Sequence, residues 1–235
     1  MVKKLEDEKL MTSYLKKHQL QNVFPKEMES YLALYSYEQG ELICHQGDSA
    51  GHLFILVKGK IKVYTTSVEG KTLILSFKTP LEVIGDIEYI QEIDIINTVE
   101  AVSSLTVIAV PYKWLKKYCE NYPPFLRFLL GIITQKFYIK SDFLSFNLMH
   151  SVEVRLASYL LSHSFDEMHS LVTGVHTTES LKDAANLIGT SYRHLNRVLL
   201  QFNKKGLVER RSKSIVIKDW EGLKEIAGHS LYEKS

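Results

Sequence analysis

The segment 180–205 constrains the fold of this chain more than any other. It reads SLKDAANLIGTSYRHLNRVLLQFNKK. Apolar residues recur at helical spacing on both sides of Gly189, which predicts two short amphipathic helices joined by a tight turn. Ser191 is placed to cap the second helix. The apolar stripe of that second helix is Leu195, Val198, Leu199 and Phe202.

Polar and basic side chains crowd the start of the second helix. A helix beginning beyond a glycine turn and bearing Arg and Asn is what a helix-turn-helix uses to reach base edges in the DNA major groove. The candidates for base contacts are Tyr192, Arg193, His194, Asn196 and Arg197. The candidates for contacts with backbone phosphates are Thr190, Ser191, Lys204, Arg210, Arg211 and Lys213.

Charge is distributed unevenly along the chain. Residues 1–177 hold 18 Lys and Arg against 20 Asp and Glu, whereas residues 178–220 hold 9 against 4. The excess of positive charge therefore coincides with the two-helix pattern, as expected of a surface that binds phosphates. A basic face that is merely solvated is the alternative, and the coincidence favours DNA.

Residues 35–112 have the pattern of an all-β unit. Short β-branched or alternating runs are separated by glycine and polar turns, which favours a sandwich or barrel. The preceding residues 1–34 are expected to be mostly helical. The predicted strands are Glu41–Ile43, Leu53–Val57, Ile61–Tyr64, Leu73–Phe77, Thr98–Val102 and Leu105–Pro111.

The pattern becomes helical from Tyr112 onwards. A short helix to Cys119 is followed by a long one from about Phe125 to Met149, with apolar residues at coiled-coil spacing. This seam favours packing against a second copy of the chain, and a core helix within one subunit is the alternative. The predicted dimer-interface residues are Leu126, Leu130, Ile133, Phe137 and Leu144.

A third region completes the predicted organisation. A helix over about Val152–Ser162 leads into the helix-turn-helix, and two strands at Leu207–Val208 and Ser214–Ile217 predict a wing with a basic tip. We therefore expect an α+β chain with three parts. They are a β-roll sensor domain with N-terminal helices (1–124), a long dimerisation helix (125–150) and a winged helix-turn-helix domain (151–235).

Composition and motifs argue against several classes of protein. No apolar run approaches the length of about 20 residues that a membrane span needs, and the N-terminus lacks the apolar core of a signal peptide. The two cysteines, Cys44 and Cys119, lack metal-ligand spacing and favour a cytoplasmic location. No catalytic motif is present, and we expect no enzyme activity, no cofactor and no metal.

The order of these parts resembles the family of the bacterial cyclic AMP receptor protein and the fumarate and nitrate reduction regulator (Crp/Fnr), from about Ser36 to Asp219. The resemblance implies a homodimeric transcription regulator that senses a signal with a β-roll and contacts RNA polymerase. Its long helices are expected to form the dimer interface. It also places a candidate effector pocket at Ile84, Gly85, Asp86 and Ile87. The motifs that carry it are Gly40-Glu41-Leu42-Ile43, Gln46-Gly47-Asp48, the run Leu53–Val63, Glu69-Gly70-Lys71 and Ile84-Gly85-Asp86-Ile87.

The sequence departs from the family's cyclic nucleotide-binding members. Those members follow a Gly-Glu pair with an Arg-Ser pair that holds the cyclic phosphate. Here Gly85-Asp86 is followed by Asp94-Ile95-Ile96-Asn97, and no Arg or Lys occurs from Pro80 to Tyr112. Because burying a phosphate without a cation is costly, this argues against cyclic AMP.

Other cofactors of the family fit no better. An iron–sulfur cluster needs four cysteine ligands, and this chain has two cysteines. Haem ligation by His45 or His52 stays open but rests only on the presence of these residues. The same holds for a redox role of Cys44 or Cys119. An apolar ligand between the β-roll and the long helix is a further alternative.

The second helix also departs from the family pattern. The best-known members place Arg, Glu and Arg at three positions that correspond to Tyr192, Arg193 and Arg197. The retained Arg197 is suited to guanine, while Arg193 replaces an acceptor by a donor and should remove a preference for cytosine. We expect a DNA-binding homodimer with an unidentified signal. The alternatives are a winged helix that contacts protein and, last, an enzyme that uses the β-roll cavity.

Overall fold

The computed structural model describes residues 2–70, 72–162, 175–177, 180–211 and 214–228. The chain divides into two compact units, Met1–Tyr138 and Ile139–Ser235. The first unit is mainly β-sheet with flanking helices, and the second is mainly helical with one small sheet. The α+β architecture expected from the sequence is confirmed.

The described part of the N-terminal unit holds nine strands, a 3₁₀ helix at Lys26–Tyr31 and several α-helices. Its helices are α1 (Glu8–Lys17), α2 (Asp86–Gln91), α3 (Tyr112–Tyr118) and the first part of α4 (Pro123–Met149). Its strands are β1 (Lys3–Leu5), β2 (Ala33–Tyr37), β3 (Leu42–Cys44), β4 (His52–Lys58), β5 (Ile61–Thr66), β6 (Thr72–Lys78), β7 (Glu82–Ile84), β8 (Thr98–Ala101) and β9 (Leu105–Pro111).

Two antiparallel sheets form the β-roll, with strand orders β1-β2-β9-β4-β7 and β3-β8-β5-β6. The central strand β9 is apolar over most of its length because both of its faces are buried. Leu105 and Val107 belong to the core that also holds Ile61 and Val99 of the second sheet. Ile108 and Val110 belong to the core that holds residues of the helices. A largely apolar run in a strand is expected when both faces are covered.

The connection from β4 to β5, which passes from the first sheet to the second, depends on Gly59. Its φ is +93°, and a Cβ placed on it would lie 2.5 Å from the Cβ of Leu105 and 2.7 Å from the carbonyl oxygen of Ser104. Only glycine combines this left-handed backbone with so close an approach of another strand. Gly59 thus lets the connection between β4 and β5 pass close over the start of β9.

Helix α4 has two different faces in its N-terminal half. Phe125 and Leu129 are buried in the core beneath the first sheet. A neighbouring stripe is open, since Leu130 is 66% exposed and Phe137 is 73% exposed. Apolar side chains so exposed along one helix face are a candidate interface.

Among its described residues, the C-terminal unit contains the rest of α4, four further helices and a three-stranded sheet of order β10-β12-β11. Helix α5 packs against α7 and α8. The elements are α5 (Val152–Ser162), β10 (Val175–Thr177), α6 (Ser180–Leu187), α7 (Tyr192–Lys204), β11 (Val208–Arg210), β12 (Ser214–Ile217) and α8 (Trp220–Ala227).

The observed elements correct several expectations. The prediction that residues 1–34 are mostly helical is wrong in part, because β1 and the beginning of β2 lie there and pair antiparallel. Strands β1, β2, β7 and β10 and helices α2 and α8 were not predicted. These elements are short, and the new strands gain their stability by pairing with distant segments.

We predict that Gly59→Ala destabilises the N-terminal unit far more than Gly40→Ala. Gly40 also has a positive φ, +85°, but no atom lies within 4 Å of its Cβ position. The free energy of unfolding of the Gly40 variant should therefore fall only by the cost of a left-handed backbone at a non-glycine residue, about 1–2 kcal/mol. The Gly59 variant should lose about 1–3 kcal/mol more, because Leu105 must move. Urea unfolding of both variants measures the difference, and equal losses would contradict the close-approach argument.

Candidate nucleic-acid interface

Helix α7 presents opposite faces to the protein core and to solvent. Leu195, Val198, Leu199 and Phe202 are all buried. The predicted apolar stripe of this helix is therefore confirmed. Because these four side chains fix the rotation of α7 about its own axis, they also decide which side chains point outwards.

The turn before α7 is held by local hydrogen bonds. Gly189 adopts φ +65°, and the amide of Thr190 donates to the carbonyl of Ala185 at 2.9 Å. The Oγ of Ser191 accepts from the amide of His194 at 3.2 Å and so caps the helix. The helix start is therefore well defined, with its positive dipole end at the surface.

The five residues predicted for base contacts divide into two groups. Tyr192, Arg193 and Arg197 are exposed, and the two arginines lie one turn apart. His194 and Asn196 are half-buried. The Nδ2 of Asn196 donates to the Tyr192 carbonyl at 3.1 Å, and within the described residues its buried Oδ1 has no hydrogen-bond partner. In this conformation the Asn196 amide is turned back onto its own helix.

The phosphate candidates lie around the ends of α7 and on the wing. Ser191, Lys204, Arg210 and Arg211 are exposed, whereas Thr190 is half-buried. The amide of Arg210 donates to Oδ1 of Asn203 at 3.1 Å, which ties the wing to α7. Lys213 lies outside the described residues.

An ion-pair cluster organises the wing. Glu209 accepts from Arg211 at 3.1 Å and lies 2.6 Å from the ammonium of Lys218. Hydrogen bonds from Arg211 and Lys218 lower the pKa of Glu209 to about 2. One carboxylate thus holds two exposed cations and leaves the cluster with a net positive charge. Sequence reasoning missed Lys218, although it lies within the same basic stretch.

The predicted effector motif lies at the junction of β7 and α2. Gly85 has φ +87°, and a Cβ there would be 2.6 Å from Oη of Tyr112 and 2.7 Å from the His52 carbonyl oxygen. The Tyr112 hydroxyl donates to the Gly85 carbonyl at 2.6 Å, and burial raises the pKa of Tyr112. Ile84 and Asp86 are buried and Ile87 is half-buried. This motif is therefore closely packed by the protein's own side chains.

A lysine from α4 occupies the same place. The ammonium of Lys136 lies 2.8 Å from Glu82 and 3.0 Å from both carboxylate oxygens of Asp86, and it donates to the Val83 carbonyl. The side chain of Asp86 is 4% exposed and that of Lys136 is 22% exposed. Burial alone lowers the pKa of Lys136, but the two carboxylates outweigh it, so its pKa lies above the ordinary value.

Sequence reasoning missed Lys136, although a signal was present. Phe125, Leu129, Ile132 and Lys136 recur at spacings of 4, 3 and 4, so a lysine stands where this helix face predicts an apolar residue. A charge at such a position needs a buried partner. Two carboxylates with one ammonium leave the cluster net negative.

Neither cysteine has the character of a reactive thiol. Burial raises the pKa of Cys44 to about 12 and that of Cys119 to about 11. Both thiols are therefore protonated at neutral pH, and a thiolate is the reactive form. Among the described residues no group of three or more His, Cys, Asp or Glu side chains is arranged to hold a metal ion.

Comparisons with known proteins agree with this geometry. The sequence profile of the cyclic nucleotide-binding domain matches residues 34–122, and that of the Crp-like helix-turn-helix domain matches residues 154–226. Together the two matches cover more than half of the chain. The first lies in the β-roll unit, and the second contains α6, α7 and the wing.

Curated relatives match over most of their length. The chain is 29% identical over 205 residues to the regulatory protein YeiL of Escherichia coli O157:H7, covering 87% of this chain and 90% of the relative. It is 23% identical over 190 residues to the cAMP-activated global transcriptional regulator CRP of Salmonella typhimurium, covering 80% of this chain and 90% of the relative.

Solved structures share the fold. A CRP-family transcriptional regulator from Thermus thermophilus gives a TM-score of 0.68 at 18% identity, covering 85% of this chain and 99% of that one. A structure from Eubacterium rectale assigned to the crp/fnr family gives a TM-score of 0.76 at 21% identity, covering 92% and 99%.

The described helices set one further limit. None of them is both long enough and apolar enough to cross a membrane.

Three observations lead to one assignment. Two family profiles match in the order typical of the family, and a relative matches along almost its whole length. Helix α7 also has a buried apolar stripe and exposed arginines. The chain belongs to the Crp/Fnr family of DNA-binding transcription regulators.

Proposed function

We propose that this protein binds a palindromic DNA site as a homodimer and regulates transcription in the cytoplasm in response to a signal other than a cyclic nucleotide. The observation that carries the proposal is the exposed face of α7 in its first half. Arg193 and Arg197 stand on the face opposite the buried stripe, beside a capped helix start. Such a helix fits the major groove with its N-terminal residues on base edges.

The interface divides into base contacts and phosphate contacts. Arg197 and Arg193 supply bidentate donors that suit guanine O6 and N7. Tyr192 and His194 assist from the same surface, and Asn196 joins them only if its amide turns away from the Tyr192 carbonyl. The phosphate contacts come from Thr190, Ser191, Lys204, Arg210, Arg211 and Lys213, and they fix the register without reading sequence.

The exposed stripe of α4 supports pairing with a second copy of the chain. Leu126, Leu130, Phe137 and Leu144 are all exposed, and Ile133 between them is half-buried. Their spacing from Leu126 to Phe137 alternates between four and three residues, as in a two-stranded coiled coil. A parallel pair of such helices would relate two copies of α7 by two-fold symmetry and match the symmetry of a palindrome.

The charge around Gly85 supports a signal other than a cyclic nucleotide. Glu82, Asp86 and Glu88 bring three carboxylates to this region, and Lys136 is already bound by two of them. A cyclic phosphate would enter a net negative site whose lysine is already paired, at a large cost in desolvation. The activation by cAMP stated for the Salmonella relative therefore does not carry over. We also propose RNA polymerase as a protein partner, from family membership alone.

The test of this function is a selection from random DNA duplexes with purified full-length protein at two salt concentrations. The proposal expects enrichment of a palindrome whose half-sites lie about 10 base pairs apart, with binding that weakens as salt rises. Binding that neither depends on salt nor enriches a sequence would overturn it and favour a winged helix that contacts protein.

Arg197→Ala should weaken binding to the selected palindrome by about 1–3 kcal/mol and relax specificity at one position of each half-site. The reason is the loss of a bidentate donor to a base. Lys204→Ala is the matched control, because an exposed lysine at the end of α7 should act through a phosphate. It should weaken binding to all duplexes alike and reduce the salt dependence by about one ion. Titrations on the palindrome and on single-base variants distinguish the two, and a uniform loss for Arg197→Ala would contradict base contact.

Leu130→Glu should convert the dimer to monomer at micromolar concentration, since it places a charge in the centre of an apolar seam. Gln135→Glu adds the same charge at an exposed position of α4 outside the stripe and should stay dimeric. Sedimentation velocity measures both. A Leu130→Glu protein that sediments like the wild type would show that this stripe is not the interface.

Cyclic AMP should leave the thermal midpoint of the protein unchanged. A ligand at about 100 times its Kd would stabilise the native state by about 2.7 kcal/mol. That would shift the midpoint of a chain of this size by several degrees. Differential scanning calorimetry with cyclic AMP, against sodium chloride at matched ionic strength, gives the answer. A saturable rise of the midpoint would contradict the charge argument.

A further inference from the structure

A residue outside α7 holds the turn from which α7 begins. Arg155 lies on α5, and its Nη1 donates to the carbonyl of Ile188 at 2.6 Å. The same nitrogen lies 3.5 Å from Oδ1 of Asn147, at the limit of a hydrogen bond. Ile188 follows directly after α6 and immediately precedes Gly189.

Within the described turn, no backbone amide donates to the carbonyl that Arg155 binds. Ile188, Gly189 and Thr190 donate their amides to carbonyls of α6 at Ala184, Asn186 and Ala185. The Ile188 carbonyl instead accepts from the guanidinium. A charged donor at the C-terminal end of a helix gains from the helix dipole and makes a stronger hydrogen bond than a neutral one.

The guanidinium also packs closely against the turn. A Cβ on Gly189 would lie 3.4 Å from Nη1 of Arg155, so a side chain at this position would touch the guanidinium. The Ile188 side chain is fully buried on the same turn. The turn is thus fixed from both sides, by apolar burial and by a cation, immediately before Tyr192 and Arg193.

We propose that Arg155 is a positioning residue for DNA recognition: by binding the Ile188 carbonyl it sets where α7 begins relative to α5, without touching DNA. This inference rests on the proposed DNA-binding function. It adds a determinant of specificity to the residues of α7 itself. Side chains that read a ligand must be held within about half an ångström by a supporting layer of contacts, and Arg155 supplies one such contact.

The test compares full-length Arg155→Met with Arg155→Lys and Lys224→Met, using the selected palindrome and an unrelated duplex. Arg155→Met removes the charge and the donor. It should lower the ratio of specific to non-specific affinity about tenfold or more, as expected for loss of a charge-assisted hydrogen bond. Arg155→Lys keeps a charged donor and should lose less. Lys224→Met removes an equal charge from α8, where Lys224 pairs locally with Glu221, and should leave the ratio unchanged.

A second measurement separates positioning from unfolding. Hydrogen exchange without DNA should quicken at the amides of Thr190 and His194 in Arg155→Met, while the amide of Leu199 in the middle of α7 keeps its wild-type rate. If Arg155→Met is unfolded at the assay temperature, Arg155→Gln is measured in its place under the same criteria.

Three outcomes would overturn the inference. The variant could keep the wild-type affinity ratio, or Lys224→Met could lose as much as Arg155→Met, which would show an effect of net charge only. The amides of the turn could also exchange at wild-type rates. If the wild-type protein itself selects no palindrome, the proposed function fails first, before any variant is measured.

Discussion

The burial of one face of α7 is the constraint on which the proposed interface depends. Leu195, Val198, Leu199 and Phe202 span about two turns and leave the helix a single rotational setting. Everything on the opposite face, including Arg193 and Arg197, is exposed as a consequence of that packing. Rotation of α7 would expose an apolar side chain, at about 1.5–3 kcal/mol for each one uncovered. The orientation of the proposed recognition surface is therefore set by the packing of its reverse side into the core.

The long helix α4 combines two tasks on adjacent faces. One face carries Phe125 and Leu129 into the core and delivers Lys136 to Glu82 and Asp86. The adjacent face carries the exposed stripe that we assign to dimer formation. Because Lys136 binds carboxylates of β7 and α2, the position of the stripe on the β-roll is tied to the motif that other family members use for a ligand. Removing one partner would leave a charge without its counter-ion, at a cost of about 3–5 kcal/mol in a fully buried pair and less here, where the Lys136 side chain is 22% exposed.

Local structure could be predicted from patterns in the sequence, and contacts between distant residues could not. The Gly189 turn, the Ser191 cap and the stripe of α7 are all within one segment, and the structure has them as predicted. The strands with β-branched alternation, such as β4 and β9, were predicted to within a residue or two. Strand β1, with the sequence KKL, has no pattern of its own and exists because it pairs with β2.

Two polar contacts between residues distant in sequence were likewise not predicted. Lys136 meets Asp86 across 50 positions of sequence, and Arg155 meets Ile188 across 33. Neither contact follows from helical or strand periodicity, since each depends on how separate elements pack. The sequence shows that the stretch around the Gly85 motif supplies no cation of its own. The sequence did not predict that Lys136 of α4 would place its ammonium beside this motif.

The most direct measurement is hydroxyl-radical footprinting of the full-length protein on its selected palindrome. Two copies of α7 related by two-fold symmetry would protect two short segments centred about 10 base pairs apart on one side of the duplex. That result is the one predicted here. A single protected segment, or protection spread evenly along the DNA, would contradict the dimeric, sequence-reading account.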